Sequence, residues 1–358
     1  MTINTTTNIA LLSTAAMRAL TSGEISGLTT AQAAKLSAVQ INALTSAQIQ
    51  SLETSDIAAI TATVVAGLGT TAMVGLTSAQ VIALTTEQAA GLKSNQLNAL
   101  THFNQLETAD LAAISGSNFA GVSTSQLVAL TTSQAAALTA AQVFALTTNK
   151  IAALQPEDFA VLNTLAFKSL TNAQLTAITT AQAAQISVAQ AGVLSASVLS
   201  TMETADLAAL QTSTQTALTN TQLAGLSAAQ TAALGGLTAA QQTGYTYAKK
   251  TAAQITAMTT TDFAALTSTQ LAGFQPNQAS SFTNAKLAVI STDGLQGLST
   301  ATLKNLTASQ VAALTTAQLA GLSTSSVIAL ETADVAVLTV AQIPALTTSQ
   351  ALALTTAQ

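Results

Sequence analysis

Carboxylates recur in pairs three residues apart: Glu53 and Asp56, Glu107 and Asp110, Glu203 and Asp206, Glu331 and Asp334. Carboxylate oxygens are the ligands Ca2+ takes, so these eight residues are weak Ca2+ candidates. Each pair supplies only two carboxylates, whereas Ca2+ takes about six to eight oxygens. The competing reading places the acids at helix N-termini, where the backbone dipole favours negative charge. Asp158 and Asp262 are isolated marks of the same kind. No other cofactor is expected.

Two further places could carry chemistry. The only histidine, His102, lies in LTHFNQ. With no second histidine and no cysteine it cannot complete a common metal set, and it reads as a polar residue at a kink. The segment 235–250, GGLTAAQQTGYTYAKK, holds both tyrosines, Tyr245 and Tyr247, and the only adjacent lysines, Lys249 and Lys250. Loops carry function more often than cores do. These four residues therefore form a candidate contact loop for another subunit, a glycan or a surface; the alternative is an insertion with no role. No G-x-S-x-G elbow and no G-x-x-x-x-G-K-(S/T) phosphate loop occurs. An enzyme is not expected.

Only 6% of the 358 residues are charged, against a usual share of about 25%. The apolar share of 49% excludes a typical disordered chain. The net charge is −5 with no basic patch, so neither nucleic acid nor an anionic membrane surface is an expected partner. Thr, Ser and Gln interrupt every apolar run well short of the roughly 20 residues a spanning helix needs. The opening MTINTTTNIALLSTAAMRAL lacks the basic n-region of a secretory signal.

The elements that carry these residues follow from an internal repeat. A large apolar residue returns every eight positions from Leu12 through Leu20 and Leu28 to Leu100. One six-residue step leads to Leu106, and the eight-residue step then holds to Leu354 across a damaged patch at 235–250. The consensus is L-T-T-A-Q-(V/I/L/A)-A-(A/G), as in Leu314–Gly321 and Leu44–Ser51. Position two (Thr or Ser) and position five (Gln) have capping-box spacing, and positions one and six are the ends of a hydrophobic staple. Pro156 and Pro276 fall at position three, the first helical residue in this register. Gly at position eight (Gly27, Gly91, Gly225, Gly273, Gly321) suits a helix exit. Eight residues overshoot two helical turns by about 80°, so a continuous helix would carry no apolar stripe. Pro344, at position seven, resists the pattern.

The expected fold is an all-α solenoid of short, one-turn helices. A β-solenoid is the alternative, disfavoured because the apolar spacing of five and three breaks strand alternation. Residues 1–11 lead into the repeat, 12–234 form a solenoid with a phase step at 100–106, 235–250 are an irregular insertion, and 251–358 resume the solenoid in one continuous unit. Such repeats are stable only when stacked, and Ala and Gly at positions four, seven and eight allow close approach. The acidic marks recur at 48 to 72 residues, which suggests a coil turn of six to nine repeats.

These ALTTAQ repeats, cysteine-free and weakly charged, resemble those of large bacterial secreted surface proteins, including adhesin-like and surface-layer-like ones. The resemblance covers roughly residues 12–358 and implies an extracellular structural setting, reached without a conventional signal peptide. The sequence stops mid-repeat at LTTAQ with no polar capping unit, so the chain is expected to be part of a longer protein or to stack on a second copy. The first expectation is a self-assembling filament, matrix or surface-layer component whose partner is itself, head-to-tail or laterally. The second is the stalk or ligand-binding module of an adhesin that engages a cell surface or glycan. An ice-binding surface is a distant third, because position-two Thr is engaged in capping and position three varies.

Overall fold

Thr45 shows how each repeat begins. Its hydroxyl accepts from the backbone N–H of Gln48 at 3.3 Å, and Gln48 Oε1 accepts from the Thr45 N–H at 2.8 Å. This reciprocal box starts the helix Ser46–Gln50 and recurs, for example, at Thr131 with Gln134 and at Thr315 with Gln318. Both orphan ends of the first turn are thereby satisfied. The residues at positions one and six, such as Leu44 with Ile49 and Leu138 with Val143, are buried.

The computed structural model describes residue 4 and residues 6–358. Among these the elements are short α- and 3-10 helices, and no strand occurs. The fold is an all-α solenoid of capped helical turns, not the β alternative. The described chain gathers into two compact units. The first runs to Leu194 and includes Thr201–Gln211; the second comprises Ser195–Ser200 and Thr212–Gln358. The core of the second unit contains Phe263, Phe274 and Phe282, whose rings meet edge to face or stacked.

Irregular positions are absorbed locally. Pro156 opens the helix Pro156–Ala160, and Pro276 opens a 3-10 helix. Pro344 stops an α-helix from forming; its repeat closes instead with the 3-10 turn Ile343–Ala345. The six-residue step at 100–106 also becomes a 3-10 turn, Phe103–Gln105, in which Phe103 is buried and His102 precedes the first turn. Residues 235–250 are not an irregular loop. Thr238 caps a helix, Ala239–Ala248, that is the longest among the described residues.

Glycine at position eight does stand at the helix exit, as the C-cap at Gly27 and Gly91, but without positive φ. At two of these positions it also permits close approach: a Cβ on Gly273 would lie 2.5 Å from the Gly244 carbonyl oxygen, and one on Gly225 would lie 2.8 Å from that of Ala196. One further expectation is corrected: the coil is tighter than the acidic marks suggest. Helices pack on those three places along the chain, as Ser46–Gln50 does on Thr70–Gly75. Side-chain bonds join residues 28 and 31 apart. Within each unit a turn thus takes between three and four repeats, not six to nine.

Candidate functional site

The side chain at position five bonds the coil to itself. Gln80 Nε2 donates to the carbonyls of Ile49 at 2.7 Å and Leu52 at 2.8 Å. Gln142 does the same to Leu111 and Ile114 at 2.6 and 2.9 Å, and Gln318 to Leu287 and Ile290 at 2.8 and 2.7 Å. The accepting carbonyls lie at a helix C-terminus, where intrahelical partners run out. One glutamine therefore caps the start of its own helix through Oε1 and the end of the helix beneath it through Nε2. The result is a ladder of buried amides running through each unit.

Other donors take the same rung. Lys286 Nζ donates to Ile255 and Thr256 at 3.0 and 2.9 Å, and the Thr302 hydroxyl donates to Phe274 at 3.1 Å. Lys150 reaches the carbonyl of Ala120.

The acidic repeats put a carboxylate where these donors stand. Asp56, Asp110, Asp206 and Asp334 are buried, whereas Glu53, Glu107, Glu203 and Glu331 are exposed. Each Ca2+ candidate pair thus has one buried and one exposed carboxylate, and among the described residues no three of His, Cys, Asp and Glu gather. Burial pushes the carboxyls of Asp56, Asp110, Asp206 and Asp334 above the ordinary aspartate value, as it does for Asp158. Hydroxyls from neighbouring turns oppose the shift: Thr86 donates to Asp110 Oδ1 at 2.7 Å, and Thr180 to Asp206 Oδ1 at 3.0 Å. Oδ2 of Asp56 and of Asp110 is buried without a partner.

The ladder breaks beside the long helix Ala239–Ala248. Counting from Leu234, the next box leucine comes after three residues (Leu237) and the following position-one residue after thirteen (Lys250). Gln241 accordingly bonds residues 26 and 23 earlier, Gln215 and Leu218, five short of the usual spans. Lys249 Nζ now takes the C-terminal carbonyl of Ala224 at 2.6 Å, at the end of the helix that Gln254 would otherwise cap. The acceptors due to Gln270, 28 and 31 residues back, fall inside the long helix, where carbonyls already have i+4 partners. Gln254 and Gln270 keep their capping oxygens on the Thr251 and Thr267 N–H at 2.8 Å each. No described protein atom accepts from their Nε2.

Both amides line a cleft of about 600 Å3 in the second unit, with Tyr247, Lys250, Met258 and Asp262. Lys250 Nζ stands 5.2 Å over the Tyr247 ring, and the ring meets Phe274 edge to face. Asp262 Oδ2 accepts from the Thr259 N–H at 2.6 Å and hydroxyl at 2.8 Å, which holds its carboxyl below the ordinary value. Burial, and then the Asp262 charge, raise the Tyr247 phenol. Of the four contact-loop candidates, Tyr247 and Lys250 face this cleft. Tyr245 lines a second cleft on the same helix, with Lys249 Nζ 5.4 Å over its ring.

A family model described as the ALTTAQ repeat matches residues 49–86, 287–324 and 327–358. Those three stretches are ALTTAQ repeats. The Q of the ALTTAQ motif is the ladder glutamine, and the T before it in the box is the helix cap. The ALTTAQ matches fall in both units and leave the long-helix segment outside them. No curated protein matches the chain. No described helix is long and apolar enough to cross a membrane.

The sequence pattern missed the Nε2 half of the ladder, and with it Gln254 and Gln270. A signal was present. A capping box takes Glu as readily as Gln, yet Glu holds position five only at Glu24. A carboxylate can accept but not donate, so the preference for the amide marks a needed N–H.

Proposed function

We propose that this chain is a self-associating structural scaffold of the filament, matrix or surface-layer kind, working outside the cell. The observation that carries this reading is the glutamine ladder. It commits a buried amide in repeat after repeat, though not in all, to joining turns, a use of sequence that serves shape and mechanical continuity. Low charge supports self-association, because little repulsion keeps copies apart at 6% charged residues. Position seven adds apolar surface at Val74, Ile82, Val128 and Phe144, all exposed. Electron microscopy of the purified chain at near-millimolar concentration tests the proposal. Ordered filaments, sheets or lateral bundles are expected, and uniformly isolated particles would overturn it.

A further inference from the structure

We infer that the cleft beside the long helix is a binding site for a neutral, polyhydroxylated ligand, the chemistry of a glycan. The inference goes beyond the scaffold reading and does not need it. Its basis is the break in the ladder. Elsewhere the position-five glutamine is used within the stack; at Gln254 and Gln270 two such amides open onto one cleft with no described acceptor. Their carbonyl oxygens remain held by the capping boxes, so each N–H is aimed by the backbone and not left to a free side chain. Asp262 faces the same space with Oδ2 engaged by Thr259 and Oδ1 without a described donor.

The chemistry selects the ligand class. Two amide donors, an ammonium and one carboxylate acceptor match hydroxyl groups, which both donate and accept. Lys250 and Asp262 balance in charge, which disfavours a strongly charged ligand. Tyr247 and Met258, both only partly buried, provide apolar surface for the C–H faces of a sugar ring.

The test uses the full chain labelled with 13C at the methionine methyls and titrated separately with chitotriose, cellotriose and maltotriose at millimolar concentration. Met258→Leu assigns the reporting resonance. At least one sugar should move the Met258 methyl saturably while the buried methyls of Met17 and Met73 stay fixed. Gln254→Glu and Gln270→Glu replace the donor with a carboxylate while keeping the capping oxygen. Glu24 already serves a capping box in this chain, accepting from the Thr21 N–H at 2.8 Å, so both variants should retain the helical spectrum. Each should weaken binding about three- to tenfold, the effect of one lost neutral hydrogen bond. The inference is overturned if none of the three sugars shifts Met258, or if neither variant changes the affinity of one that does.

Discussion

The hydroxyl of Thr86 donates to Oδ1 of Asp110 at 2.7 Å, across 24 residues of chain, while Oδ2 of the same carboxyl is buried with no partner. A donor is met on one side and missing on the other, in a place where most repeats supply an amide.

Acid should therefore tighten this coil. Burial raises the folded-state values of Asp56, Asp110, Asp158, Asp206 and Asp334 above the ordinary 3.8. A carboxyl with a raised folded value binds its proton more tightly when folded. Its stabilising effect is full below the ordinary value and is lost as pH climbs through the raised one. The thermal midpoint, followed by helical circular dichroism, should rise as pH is lowered from neutrality toward the aspartate range. Asp110→Asn should stabilise the fold at neutral pH by about 1 kcal/mol, raise the midpoint accordingly, and reduce the pH slope. A midpoint that falls steadily over that range would contradict this account.

The fold was largely legible because its signals are local. Thr45, Gln48, Leu44 and Ile49 lie within one octapeptide, and cap, box and staple follow from their spacing alone. The coil period was not legible, because the acidic marks record where a donor is replaced and not where a turn closes. The cleft was half legible. Tyr247 and Lys250 stood out by type, but Gln254 and Gln270 look like every other box glutamine. Only the thirteen-residue spacing behind them, which moves their acceptors away, sets them apart.

Substitution within the ladder should separate the two roles of the glutamine. Gln142 is fully buried and bonds Leu111 and Ile114. Gln142→Met loses both caps and should cost about 1–3 kcal/mol in denaturant titration. Gln142→Glu keeps the capping oxygen yet sets a carboxylate against two carbonyls, and should cost about 3 kcal/mol or more at neutral pH. Equal losses in the two variants would show that the donor side has no weight.

Lys286 offers the complementary case. Its ammonium bonds two carbonyls and stands 5.4 Å over the Phe263 ring. Lys286→Gln installs the donor used on other rungs and should change stability by less than about 1 kcal/mol. Lys286→Met leaves the carbonyls without that donor and should cost about 1–3 kcal/mol. Chemical denaturation of the pair reads the difference; a Gln variant as unstable as the Met variant would refute the equivalence of rungs.

Two glycines should respond in opposite directions. A Cβ at Gly297 would lie 2.0 Å from the Ser268 carbonyl oxygen, whereas one at Gly192 meets nothing within 4 Å. Gly297→Ala should lower the melting midpoint, since the obstacle is backbone. Gly192→Ala, at the end of the helix Val188–Gly192, should raise stability by about 0.4–1 kcal/mol. Matching shifts in both variants would argue against close approach as the reason for glycine.

Each rung measures only the stretch of chain that separates it from the turn below. The six-residue step shortens the reach of Gln126 to 29 and 26 residues, and by Gln134 the reach is 28 again. The three-plus-thirteen spacing around the long helix is likewise forgotten by Gln278, which spans 31 and 28. Length errors in this architecture heal within one lap of the coil. At both places the chain has taken a change of length and altered its surface there while the following lap regains its geometry.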